Sequence, residues 1–419
     1  LEFSMSNSIL SSLTQYFNSI DCQNMMKYKK ITIAFLSILF LSPAYTAEFP
    51  NENWTQKAPS EVGVDPLKVK TLFDLSFEDN ATQAVVLIKN GFLIGEQYAE
   101  GFNKDSYGTS WSMAKSFYAS LIGISIDRGE INSLDDKVSD YLEYFNDERS
   151  EITIRDILNM ASGLQFPEHE HELMFFKQDH LAYAKNVGVE KEPHTLFEYN
   201  NVNSMLIGDI LGKATGKKAD LLLKERILNP IGIKNSTVWR DNAGNPLAYC
   251  CIDMSARDYS RFGLLFSRNG QWNDNQIISS DYVDETFTPY WNFTPKRFTD
   301  LDRGYSLHWW FSKNDKEGQI FNASGKFGQY IFVDRENDII FTRITKYHPT
   351  PGSIQDWGRL NKIEVKNIGR WMKVTRFLEK IGLLDVEDFK TPNTRSDGES
   401  KEFYENYDQI IDAMADLSR

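Results

Sequence analysis

Along this chain the spacing of apolar positions alternates between helical and strand periods, and the changes mark its elements. From Asp65 to Asp79, Val64, Leu67, Val69, Leu72, Phe73 and Leu75 share one helix face. ATQAVVLIKNGFLIGEQYAEGF then alternates around Asn90-Gly91, a strong short hairpin signal. A second β region is predicted far downstream, in GYSLHWWF (Gly304 to Phe311) and in GQYIFVDRENDIIFTRIT, where Glu336-Asn337-Asp338 supplies a turn.

Between these regions the pattern is helical. TIRDILNMASG offers Thr153 as N-cap and Gly163 as stop; NNVNSMLIGDILGKATG, ADLLLKERILNPIG and SARDYSRFGLLFSRNG each close on Gly or Pro. Strands at both ends with helices between predict an α/β (α+β) fold, an antiparallel sheet flanked by helices with an inserted, mainly helical lobe at about 141–290. A cleft between the layers is the expected place for a site. An amphipathic helix is expected near 364–381. The main domain is expected over 48–383, and 384–419 reads as an acidic C-terminal tail, linker-like through TPNTRSDGES, with a short helix at Glu402 to Leu417.

The N-terminal region carries a different pattern. Basic Met25 to Lys30, apolar Ile31 to Ser42 and small residues around Ala44 and Ala47 predict a signal peptide over 25–47. The apolar run is short of the roughly 20 residues that cross a bilayer. Export to a secreted or periplasmic location follows, with no integral membrane span after cleavage. Residues 1–24 begin Leu-Glu-Phe without a pattern of their own and are read as upstream or vector-derived.

Composition narrows the function. The chain has 419 residues, 41% of them hydrophobic, enough for a large core. A net charge of −13 and the lack of a basic patch argue against nucleic acid as partner. Of three cysteines, Cys22 lies in the leader and Cys250-Cys251 are adjacent; two buried thiols are expected rather than a vicinal disulfide.

Candidate chemistry gathers at SYGTSWSMAKSF (Ser106 to Phe117). A helix starting near Ser112 is apolar nearly all round, so a lysine in its first turn is out of place there. Ser112 and Lys115, three apart, share a face, and an amine beside a serine hydroxyl can take its proton or tune another base. Ser110 is expected to help cap the helix, and the segment lacks the final Gly of a GxSxG elbow. EHEHE (168–172) lacks metal-site spacing, so no metal or other cofactor is expected. Trp309-Trp310 are expected in the core, one of them by alternation able to face the cleft; Tyr107 and Trp111 either line the entrance or pack below the helix. His194 and His308 do not assemble a Ser-His-Asp triad.

Two further motifs follow in order: Tyr199-Asn200-Asn201 before a helix, and Ala323-Ser324-Gly325 read as the start of a strand. Together, SxxK, YxN and small-x-Gly resemble the penicilloyl serine transferase group, which includes class C β-lactamases, D,D-peptidases and related esterases. WSMAKS, YNN and ASGKFGQYIFVD look most like its 6-aminohexanoate-dimer hydrolase branch, over about 58–383. The resemblance implies a β-lactamase/transpeptidase-like fold and a serine hydrolase cleaving an amide or ester of a small linear molecule through a Ser112 acyl-enzyme. It implies Tyr199 as base, driven toward phenolate by a Lys115 ammonium, and Asn201 orienting Lys115 and the substrate carbonyl. The oxyanion hole would use the N–H groups of Ser112 and Lys326, with Ala323, Ser324 and Gly325 along the substrate strand and Gly325 admitting substrate backbone. Ala323 stands where β-lactamases and D,D-peptidases often carry Lys or His, which lowers the β-lactam reading. A β-lactamase or D,D-carboxypeptidase, or an inactive binding protein of the same fold, is the alternative.

Overall fold

The computed structural model describes residues 48–166, 174, 177–293, 302–313, 319–346, 374, 377–378, 381–383 and 401–418. The signal-peptide region, EHEHE and most of the helix expected near 364–381 lie outside the described residues. In chain order the elements are α1 (Pro66–Phe77), β1 (Thr82–Lys89), β2 (Phe92–Tyr98), β3 (Tyr107–Thr109), α2 (Ala114–Asp127), α3 (Ile154–Leu158), α4 (His180–Lys185), α5 (Asn201–Thr215) and α6 (Ala219–Leu223). Then come β4 (Thr237–Val238), β5 (Ile252–Ser255), α7 (Ala256–Ser267), β6 (Gln271–Trp272), β7 (Asn275–Gln276), α8 (Ser280–Thr286), β8 (Trp291–Phe293), β9 (Arg303–Ser306), β10 (Trp309–Lys313), β11 (Gln319–Gly325), β12 (Gln329–Asp334), β13 (Ile339–Thr345) and α9 (Lys401–Asp416).

Both β regions join in one antiparallel sheet of order β2-β1-β13-β12-β11-β10-β9-β8. The β1–β2 hairpin turns at Asn90 and Gly91, both at positive φ (53° and 81°), as a tight primed turn requires. GYSLHWWF is itself a hairpin, with Leu307 and His308 at φ 42° and 64°. Its turn is fixed from outside: Asn159 Oδ1 accepts from Leu307 N (2.9 Å) and Leu158 O accepts from His308 N (3.0 Å).

Helices cover both faces of the sheet. On one, α7 lies so close that a Cβ on Gly263 would sit 2.6 Å from Ile340 Cγ2, so glycine sets the approach. Beyond α7, the buried helices α2 and α5 pack on each other and build the inserted helical region. Thr153 caps α3 in a capping box with Asp156, as read from sequence, but α3 ends at Leu158, because Met160 already has φ 56° and Gly163 is a later turn.

On the other face lies the helix expected at Glu402 to Leu417, observed as α9. α9 packs against α1, and its Tyr407, Ile410, Ile411 and Met414 are buried with Val85, Leu87, Phe332 and Phe341 of the sheet. An apolar stripe, at about 1.5–3 kcal/mol per large side chain, is the physical reason an acidic segment belongs to the core. Asp79 and Arg343 form a buried ion pair (2.7 Å) beside Asn406 of α9. Among the described residues no helix is long and apolar enough to cross a membrane.

Candidate active site

The segment that carries Ser112 is held from both sides. A 3₁₀ turn, Trp111–Met113, leads into α2, and Trp111 has φ 46°, an uncommon conformation for a bulky residue that turns the chain sharply before the serine. Ser110 does not cap the helix as expected. Its Oγ donates to Trp111 O (3.0 Å) and accepts from Ile252 N (2.9 Å), while Ser110 N donates to Ile252 O (2.9 Å). Cys251 N donates to Trp111 O (3.3 Å), so the stretch 249–252 latches the serine turn.

Cys250 and Cys251 sit in that latch as a vicinal disulfide, where two buried thiols were expected. Both are buried, and Cys251 takes φ 74°, so the chain turns at the pair.

Lys115 is 1% exposed. Its Nζ lies 2.8 Å from Ser112 Oγ, the approach the i,i+3 spacing predicts, and donates to Tyr249 O at 2.8 Å. Among the described residues it has no carboxylate partner, and burial holds its pKa well below the lysine range. Tyr199 precedes the Asn200 cap of α5, and the Lys115 Nζ is 5.0 Å from its ring centroid. Burial raises the Tyr199 pKa above the phenol range, and a hydrogen bond with Ser112 pulls weakly the other way.

Burial favours the uncharged form of both groups, the direction that suits an amine acting as base beside a phenol. Asn201 is buried and its Oδ1 has no hydrogen-bond partner, whereas the Tyr249 carbonyl accepts from Lys115. No side-chain motif announces a backbone carbonyl, so Tyr249 was not found from sequence.

The third motif closes β11 rather than opening a strand. Ala323 is buried, Ser324 half-buried, and Lys326 follows the strand with its side chain exposed. A Cβ on Gly325 would fall 2.2 Å from Ser110 O and 3.2 Å from Trp111 Cβ. A close approach that demands glycine is thus made by the protein's own serine turn. That contact sets the Lys326 strand end beside Ser112.

Beneath the site His308 is buried, its Nε2 3.0 Å from Ser204 Oγ and its Nδ1 3.1 Å from the Tyr305 hydroxyl. Burial is the main cause that pushes its pKa down to about 3, so it is neutral. His194 instead pairs with Asp156 on α3, and Tyr107 packs in β3. Trp309 is in the core against Phe262 and Phe266; Trp310 is half-buried and lies 5.6 Å from the Tyr199 ring. Trp111 meets Phe327 edge-on at 5.1 Å.

Comparison with known proteins agrees with the fold. The Beta-lactamase family model matches residues 79–364. A 6-aminohexanoate-dimer hydrolase of Paenarthrobacter ureafaciens is 20% identical over 299 residues, covering 65% of this chain and 74% of the relative. A solved structure from Bacillus anthracis, provisionally assigned as a 6-aminohexanoate-dimer hydrolase, superposes with a TM-score of 0.59 at 20% identity, over 80% of this chain and 90% of that one. An octameric penicillin-binding protein homologue from Pyrococcus abyssi gives 0.57 at 17% identity, over 76% and 82%.

Proposed function

The chain belongs to the beta-lactamase family, and on that premise we propose that it is an exported serine hydrolase that cleaves an amide or ester bond of a small linear molecule through a Ser112 acyl-enzyme. The observation that carries this reading is the contact between Ser112 Oγ and a buried Lys115 with no carboxylate partner among the described residues. A scaffold gains nothing from a desolvated amine beside a serine, whereas an acyl-transfer enzyme needs one.

In the proposed sequence, Ser112 Oγ attacks the scissile carbonyl carbon as its proton passes to the neutral Lys115 amine. Negative charge then builds on the carbonyl oxygen, facing the N–H groups of Ser112 and Lys326. As the bond to the leaving amine or alcohol breaks, the Tyr199 phenol supplies its proton and Lys115 returns the proton to Tyr199. Water repeats the steps in reverse to free the acid. Buried Ala323 in the third motif supplies no cation for a substrate carboxylate, which favours linear amides or esters over β-lactams and D-alanyl peptides.

Mature protein and Ser112→Ala are compared on p-nitrophenyl butyrate, a 6-aminohexanoate dimer and nitrocefin. Ester turnover lost in the variant supports the reading. Nitrocefin turnover faster than that of the ester replaces it with a β-lactamase, and a wild type inert on all three overturns it.

A further inference from the structure

Beside Ser112 stands a run of aromatic rings of which the acyl-transfer steps use only the first, Tyr199. It starts at Tyr199, whose ring centroid lies 5.0 Å from Lys115 Nζ, and passes to Trp310 (5.6 Å between centroids), then Phe197 (5.9 Å), then Phe293 (4.8 Å). Trp291 joins at 6.3 Å from Phe197. All five rings are half-buried rather than enclosed.

The wall is built, not accidental. Buried Tyr305 packs behind it, 4.8 Å from Trp310 and 5.2 Å from Phe197. Trp291 Nε1 donates to Asn159 O at 2.9 Å, fixing its indole. The Arg303 guanidinium lies 5.6 Å from the Trp310 ring and 4.5 Å from that of Tyr407, tying the wall to α9. A partly exposed apolar surface held this rigidly, and continuous with a nucleophile, is the usual construction of a substrate subsite.

Resting on the hydrolase reading, we infer that the substrate carries an extended apolar group, an alkyl chain or an aromatic ring, next to the scissile bond, and that this group lies along Tyr199, Trp310, Phe197 and Phe293. Successive rings about 5–6 Å apart offer continuous contact to a chain of several methylenes, whereas a short acyl group meets only Tyr199. Each buried methylene adds to the binding of the longer substrate alone.

The test measures kcat/KM for p-nitrophenyl acetate and octanoate, and for ethyl and phenethyl acetate, in wild type, Trp310→Ala and Phe293→Ala. The expected result is a preference for the long or aromatic member in at least one series, with the ratio falling about tenfold or more in both variants. A flat ratio in wild type, or one that neither variant changes, overturns the inference while leaving the hydrolase intact. If no ester turns over, calorimetric binding of octanoate to the protein decides the wall: binding weakened by Trp310→Ala supports it, and no binding overturns it; the hydrolase reading fails separately only if the amide dimer and nitrocefin are inert as well.

Discussion

The carbonyl oxygen of Tyr249 accepts a hydrogen bond of 2.8 Å from Lys115 Nζ, and thereby aims the amine at Ser112. A main-chain oxygen orients an amine without supplying the negative charge that would keep it protonated. In the same pocket a carboxylate would raise the lysine pKa and cancel its use as a base.

Replacing Lys115 with Met separates this role from packing. Removing the base is expected to lower kcat by about 10²–10⁴-fold. Stability by urea unfolding should hold or rise, because an apolar chain replaces a buried amine. A variant that keeps near wild-type turnover removes Lys115 from the reaction.

The pH dependence follows from the two burial shifts. In the folded state Lys115 gives up its proton more readily than in the unfolded chain, where its pKa is about 10.4. The unfolded state therefore binds more protons between the depressed value and about 10.4, so wild-type stability relative to Lys115→Met should climb with pH across that window. Activity should rise on an acid limb below the usual lysine range and fall only above the usual phenol range of about 10, where Tyr199 loses its proton. A profile that climbs through the phenol range instead identifies a phenolate base.

Tyr199→Phe removes the proton delivered to the leaving group. Amide hydrolysis should lose about 10²–10³-fold, an ester with a p-nitrophenolate leaving group much less, and the alkaline limb should vanish. Asn201→Ala, which removes an Oδ1 that has no hydrogen-bond partner, should cost less than Tyr199→Phe on amides. Equal losses on amide and activated ester, or equal losses from both variants, contradict the donor role.

Removing α9 exposes the sheet face it covers. Truncation before Lys401 is expected to give insoluble protein or a melting temperature many degrees lower, and Tyr407→Ala, which also frees Asn322 Nδ2 (2.9 Å), should cost about 3–5 kcal/mol in urea unfolding. Wild-type stability in the truncated chain would mean that α9 is dispensable.

What was legible in the sequence was local. The Asn90-Gly91 turn, the Thr153 and Asn200 regions at helix starts and the Ser112–Lys115 spacing each depend on residues within a turn of one another. The rest depends on distant partners. The Leu307–His308 turn has no Gly or Asn and exists because Leu158 and Asn159 hold it. Gly325 faces Ser110, more than two hundred positions away, so sequence alone pointed to substrate. The C-terminal helix read at Glu402 to Leu417 is present, but its apolar stripe finds its cover only once the sheet is assembled. How completely Lys115 is desolvated likewise depends on distant partners that composition does not report.

The central claim is that Ser112 is a nucleophile because buried Lys115 takes its proton. Intact-protein mass measurement after fluorophosphonate treatment, with peptide mapping, tests it directly. The account predicts one adduct, on Ser112, in wild type; none in Ser112→Ala; and labelling slowed at least about 10²-fold in Lys115→Met. An adduct on another serine, or labelling of Lys115→Met at the wild-type rate, would contradict it.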